Sequence, residues 1–205
     1  MQAMADIPSL IAIGIAGFAA TNIDDIFLLI MFFSDSPKIF PVKQVVIGQY
    51  IGIGLLVAIS ALGFFFSMAV PTYIIGLLGI VPIIIGIRKL ALFTKEKESN
   101  LDQAVEDKKK SNLAFAAVAS VTFSNGGDNI GVYTPLFAKY NTIGEITVLT
   151  SIFMAMTGLW CTVAYYLANN PLVASKIRHV GHIVLPFILI GLGVYILTES
   201  FAFYN

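Results

Sequence analysis

The sequence predicts an all-α integral membrane protein: six transmembrane helices forming two inverted three-helix repeats, with both termini external. Three observations carry this reading. Of 205 residues, 58% are hydrophobic and 12% charged, with a mean hydropathy of +0.88. That is too few polar groups to cover the surface of a soluble domain, where roughly a quarter of residues carry charge. Six apolar stretches reach the roughly 20 residues that a bilayer core demands of a helix. Finally, polar motifs recur at an offset close to half the chain length.

The six stretches run over about 7–33, 42–67, 71–93, 113–137, 143–168 and 180–204. The opening residues, MQAMADIPSL, have no Lys or Arg. A secretory signal would place basic residues there, so the first stretch reads as a retained transmembrane helix. Short connections, FFSDSPKIFP and SMAVPT, separate the first three stretches. Residues 94–112, TKEKESNLDQAVEDKKKSN, hold five lysines and five acids and read as a solvated linker. ANNPLVASKIRHVGH joins the fifth and sixth stretches. The chain is thus expected to be one transmembrane domain over 1–205, with repeats at 1–93 and 113–205 flanking a cytoplasmic linker at 94–112.

Lys and Arg placement orients the helices. With the N-terminus outside, eleven of the twelve basic residues fall inside: Lys38, Lys43, Arg88, Lys89, Lys95, Lys97, Lys108, Lys109, Lys110, Lys176 and Arg178. Lys139 alone falls outside.

The repeat is read from spacing. Asn22 and Asn125 are 103 residues apart; Asp24 and Asp128, Gly54 and Gly158, and Pro82 and Pro186 are each 104 apart. TNIDDI aligns with SNGGDNI after one inserted glycine, and VPIIIG with LPFILIG after one inserted residue. Three helices per half is an odd number, so the second half is inverted. This architecture recurs in secondary transporters, whose sites lie near the bilayer midplane at the repeat interface.

The two polar motifs carry the chemistry. Asp24 and Asp25 lie about 17 residues into the first helix and Asp128 about 15 into the fourth. At ~1.5 Å per residue all three are roughly 20–25 Å from their helix starts, near mid-membrane. Ionised carboxylates there cost about 2.5–3.5 kcal/mol each on insertion scales, which makes them functional candidates. Adjacent helical residues point about 100° apart, so Asp24 and Asp25 share one target only where the helix unwinds. Gly126 and Gly127 mark a kink, a break or a close helix contact in the fourth helix. Asn22, Asn125 and Asn129 add amide oxygens, and Thr21 and Ser124 hydroxyls. This oxygen-rich pool suits a hard or borderline divalent cation. The alternative is that these groups merely join helices, as polar contacts in membranes do. Such joints need no carboxylates, and here three occur at repeat-related positions.

Further residues admit both a binding and a packing reading. Gln49 is a ligand or an interhelical hydrogen bond, and Cys161 a soft-metal thiolate or a packed side chain. His179 and His182, at i, i+3 spacing, either hold a metal or face water. Met154 and Met156 read as apolar filler, Glu199 as a wet terminal residue, and Tyr165, Tyr166, Tyr195 and Tyr204 as interface anchors or packing. A formal net charge of zero leaves no basic footprint for nucleic acid. One cysteine excludes an intrachain disulfide and a disulfide-relay enzyme. The glycine patterns GIGLL and GLGVY are close-packing patterns and not phosphate loops, so no ATPase and no enzyme is expected.

TNIDDIFLLIMFF, GQYIGIG, LLGIVPIIIGI, SNGGDNIGVYTPLF, GLWC and VLPFILIGLGVYIL together resemble the cadmium resistance transporter (CadD-like) family of the LysE superfamily, over residues 8 to 200. The resemblance implies a multi-pass exporter of the bacterial plasma membrane, carrying cadmium and other divalent metals, zinc among the candidates; by ligand type the oxygen-rich site would suit manganese or magnesium as well. It implies a metal site at Asn22, Asp24, Asp25, Asn125, Asp128 and Asn129. The partners expected are the metal ion as substrate, protons as counter-ion and the lipid bilayer, with a homodimer allowed and no resident cofactor. Two rivals stay open: an exporter of a small organic cation or amino acid, and a non-transporting membrane scaffold.

Overall fold

The computed structural model describes residues 7–34, 40–69, 71–92, 114–140, 142–170, 183–184 and 186–198. Among the described residues every regular element is a helix: α1 (Ile7–Ser34), α2 (Val42–Ser60), α3 (Leu62–Ala69), α4 (Thr72–Leu77), α5 (Ile80–Leu92), α6 (Ala114–Asn125), α7 (Gly127–Lys139) and α8 (Ile143–Ala168). A shorter apolar helix, α9 (Pro186–Thr198), follows. Four spans are long and apolar enough to cross a membrane: 7–34, 42–69, 74–91 and 143–168.

The fourth expected stretch is interrupted, one of the outcomes its paired glycines allow, giving helices of 12 and 13 residues on either side of Gly126; the second and third stretches also break, at Ala61 and at Leu78–Gly79. The Gly126 N–H turns back to the Phe123 carbonyl at 3.2 Å, and a Cβ at Gly126 would collide with the Leu56 side chain of α2. Two successive glycines weaken the helix there, and the close approach of α2 requires the first of them. Within the sixth stretch the described residues, 183–184 and 186–198, are helical. The linker at 94–112 and both chain ends lie outside the described residues.

α1 is one unbroken helix through both aspartates. Its largest interface is with α8, and the largest interface of α2 is with α6. Gly48 and Gly52, one turn apart on α2, let α6 approach: a Cβ at Gly48 would lie 2.5 Å from the Phe115 carbonyl, and one at Gly52 2.7 Å from Thr122 Cβ. Such small-residue seams are how helices associate in lipid, where apolar burial gives no driving force between them. Two apolar clusters result. One joins Phe18, Tyr133, Leu136, Phe153 and Leu192; the other joins Ile26, Phe32, Val45, Val118 and Ala164. The outward faces carry exposed Ile11, Ile15, Ile47, Ile51, Leu55 and Phe65, an apolar exterior suited to acyl chains. α8 opens with a capping box, in which Thr142 and Glu145 satisfy each other's backbone N–H groups.

Candidate functional site

The polar residues meet where α1 passes the α6–α7 interruption. On the continuous α1 the adjacent aspartates point to different partners, as the 100° step between neighbours demands. Asp24 Oδ2 lies 3.0 Å from Lys89 Nζ, and Asp128 Oδ2 lies 2.9 Å from the same nitrogen. One ammonium therefore bridges the two repeat-related carboxylates. The Lys89 side chain is 20% exposed and those of Asp24 and Asp128 are each 37% exposed. Packing sets this register. A Cβ at Gly131 of α7 would lie 2.6 Å from the Ile85 side chain of α5. Lys89 is one turn after Ile85 and Asp128 is about one turn before Gly131, so antiparallel packing brings them level.

Asp25 is 2% exposed and takes a separate set of neutral donors. Its Oδ1 accepts from Asn125 Nδ2 at 2.8 Å and its Oδ2 from Gln49 Nε2 at 3.5 Å. Thr122 Oγ1 donates to Gln49 Oε1 at 2.6 Å, which fixes the amide with its nitrogen toward Asp25.

A third, uncharged network is buried beside these. Asn129 Nδ2 donates to Asn22 Oδ1 at 2.9 Å and to Tyr133 Oη at 3.2 Å. Asn22 Nδ2 donates to Tyr133 Oη at 2.7 Å and to the Phe18 carbonyl at 2.9 Å. Thr21 joins through Tyr133 Oη at 3.4 Å while its hydroxyl also bonds back to the Gly17 carbonyl at 3.1 Å. Trp160 Nε1 of α8 donates to the Asn22 carbonyl at 2.7 Å, tying α8 to the polar turn of α1.

All six principal candidates therefore lie in this polar region, joined by Thr21 and Gln49, but their three carboxylates do not converge on one point. Among the described residues no group of three or more His, Cys, Asp or Glu side chains is placed to hold a metal ion. Ser124 points elsewhere, its exposed hydroxyl bonding the Ser120 carbonyl at 2.7 Å. Cys161 is buried in the apolar cluster with Phe32 and Ala164. Met154 and Met156 pack against the other cluster. Tyr195 packs there too, its hydroxyl 3.2 Å from that of Tyr140, while Tyr165 and Tyr166 are exposed. His179, His182, Glu199 and Tyr204 lie outside the described residues.

Four residues of these networks escaped the sequence reading: Lys89, Thr122, Tyr133 and Trp160. Lys89 counts there as an ordinary inside charge. Its signal was available, since it falls within the apolar span 74–91. Thr122 and Tyr133 sit one turn from Asn125 and Asn129, a spacing visible in sequence once those helices are drawn.

Residues 18–205 match the family described as cadmium resistance transporter. No curated protein and no solved structure matches the chain.

Proposed function

The chain belongs to the cadmium resistance transporter family, and from that premise we propose that it is a secondary transporter, not an enzyme, that exports divalent metal cations from the cytoplasm. The protein is multi-pass, with several helices able to cross a membrane; the membrane we assign is the bacterial plasma membrane. Cadmium is the substrate by family, with zinc a further candidate, and the oxygen-rich donor set also suits manganese or magnesium.

The observation that carries this reading is the meeting of Asp24 and Asp128, one from each half of the chain, at 3.0 and 2.9 Å from a shared cationic nitrogen. A cation held between them is held between the halves, so rocking one half against the other alters access to it. An inverted repeat accounts for more than this pair. In the motif alignment Asp25 corresponds to Asn129 and Asn125 to Asn22, so the bond Asn125–Asp25 maps onto Asn22–Asn129. The α1–α8 interface likewise maps onto α6–α2. These correspondences support a pseudo-twofold axis through the site, with both termini external and the linker 94–112 cytoplasmic.

Asp24 and Asp128 take the metal, and Asn125 and Asn129 brace the site through their bonds to Asp25 and Asn22. Asp25, buried among neutral amides, carries the exchanged proton. Net efflux is then antiport of a divalent cation against protons. Titration of purified protein with Cd²⁺ tests the site. Asp24→Asn and Asp128→Asn should each weaken binding at least tenfold, about 1.4 kcal/mol, with the helical signal unchanged. Loss of fold in both variants, with no separable effect on binding, would favour a scaffold role instead. The ammonium of Lys89 between the carboxylates favours one second reading, export of a small organic amine. Millimolar amine that leaves Cd²⁺ binding and efflux untouched counts against it.

A further inference from the structure

We propose that Lys89 is a tethered counter-ion that competes with the transported cation for Asp24 and Asp128, so that loading the site and expelling Lys89 are a single exchange. The proposal rests on the metal-export reading above. Its basis is geometric: one ammonium nitrogen lies 3.0 Å from Asp24 Oδ2 and 2.9 Å from Asp128 Oδ2. Divalent cations bind carboxylate oxygens at roughly 2.0–2.6 Å. A metal bridging these same two oxygens must therefore occupy the space that the nitrogen now fills. Like charges also repel at this range, so the two cations exclude each other.

The charges fit an exchange. Two carboxylates carry −2, the ammonium supplies +1 and a divalent cation +2. With Lys89 in place the site is never left as two bare carboxylates in an apolar surround, a state that costs heavily in the membrane. With metal in place Lys89 is surplus. It sits three residues before the end of α5 at Leu92. Its four-carbon stem can carry the ammonium toward the interface, as lysines near helix ends do. A short tether gives the ammonium an effective concentration on the order of millimolar, so the site competes continuously against its own occupant. That lowers apparent metal affinity and drives release.

The device belongs to one half only. In the repeat alignment Lys89 falls opposite Gly193 or Val194, depending on where the inserted residue is placed, and neither can carry a charge. The ion pairs thus join α5 to α1 and α7 without a symmetric copy. Displacing Lys89 releases these contacts and leaves α5 held to α7 by apolar packing such as Ile85 on Gly131. The empty carrier returns with Lys89 bound, and the loaded carrier crosses with Lys89 withdrawn.

The test uses the full chain in liposomes with Cd²⁺ as the probe. Lys89→Met should raise Cd²⁺ affinity at least tenfold and lower net efflux at least tenfold. Unchanged or weaker affinity, or net efflux that stays within about twofold of the unmodified protein, would overturn the proposal. A second measurement needs no variant. Acylation of Lys89 by a small amine reagent, read by mass spectrometry against exposed Lys43, should rise severalfold when Cd²⁺ is added. Should Lys89→Met fail to fold, this labelling decides, and labelling that stays constant or falls sinks the idea. Unmodified protein that binds no Cd²⁺ would overturn the metal reading itself. Cd²⁺ binding with Lys89 labelling unmoved would overturn only this inference.

Discussion

Asp24 and Asp25 are neighbours in sequence and strangers in space. An unbroken α1 turns them about 100° apart, and each meets a different chemistry: Asp24 an ammonium, Asp25 two amides. Their roles should separate accordingly. Asp25→Asn keeps the size and the acceptor oxygen that Asn125 needs and gives up only the long, 3.5 Å bond from Gln49, so the variant should fold, with Cd²⁺ affinity within a few-fold of the unmodified protein. Its efflux should lose the response to an imposed pH gradient. An unaltered response would remove Asp25 from proton coupling, and an equal loss in Asp24→Asn would mean the acids act as one group. Much at this scale was legible in the sequence. Asn22, Asp24, Asp25, Asn125, Asp128 and Asn129 stand out because polar groups are costly against an apolar background. Lys89 was passed over as a site residue although it falls within an apolar span, because a lysine near a helix end has the commoner reading of an interfacial charge. Tyr133 and Trp160 were hidden among aromatic residues whose polar atoms reveal a role only when partners appear.

At the scale of the element, the α6–α7 interruption decides what α1 can meet. Gly126 is pressed by Leu56, and the turn it makes places Asn125 toward Asp25 and Asn129 toward Asn22. Gly126→Ala adds a methyl group where Leu56 already stands. Overpacking of this kind costs about 1–3 kcal/mol, and thermal unfolding in detergent should shift down by the corresponding amount. Gly127→Ala is the control: no atom lies within 4 Å of a Cβ placed there, so its melting point should change little. Alanine adds helix propensity at both positions, so an equal downward shift in both would mean that contact with Leu56 does not set the cost. The paired glycines announced an irregularity in the sequence. Which of the two was required could not be read there, because the answer lies with Leu56, some 70 residues away.

At the scale of the whole molecule the open question is how many times the chain crosses the membrane. Helices of 12 and 13 residues are each too short to span a hydrocarbon core of about 30 Å. Placed end to end they reach about 38 Å at 1.5 Å per residue. If α6 and α7 together make one crossing, residues 99 and 144 lie on opposite sides. If they dip in and return, both lie on the same side and the second half is not inverted. The charge bias favours one crossing. Removing Lys89 from the inside group, because it pairs with Asp24 and Asp128, leaves ten basic residues (11 − 1) against Lys139. Thiol labelling distinguishes the two arrangements. In a Cys161→Ala background, Ser99→Cys reports on the linker and Gly144→Cys on the start of α8, where a Cβ meets no atom within 4 Å. A membrane-impermeant reagent applied to intact cells should label Gly144→Cys and spare Ser99→Cys, and inside-out vesicles should reverse the pattern. Labelling of both from one side would break the inverted repeat, and with it the pseudo-twofold axis that relates Asp24 to Asp128.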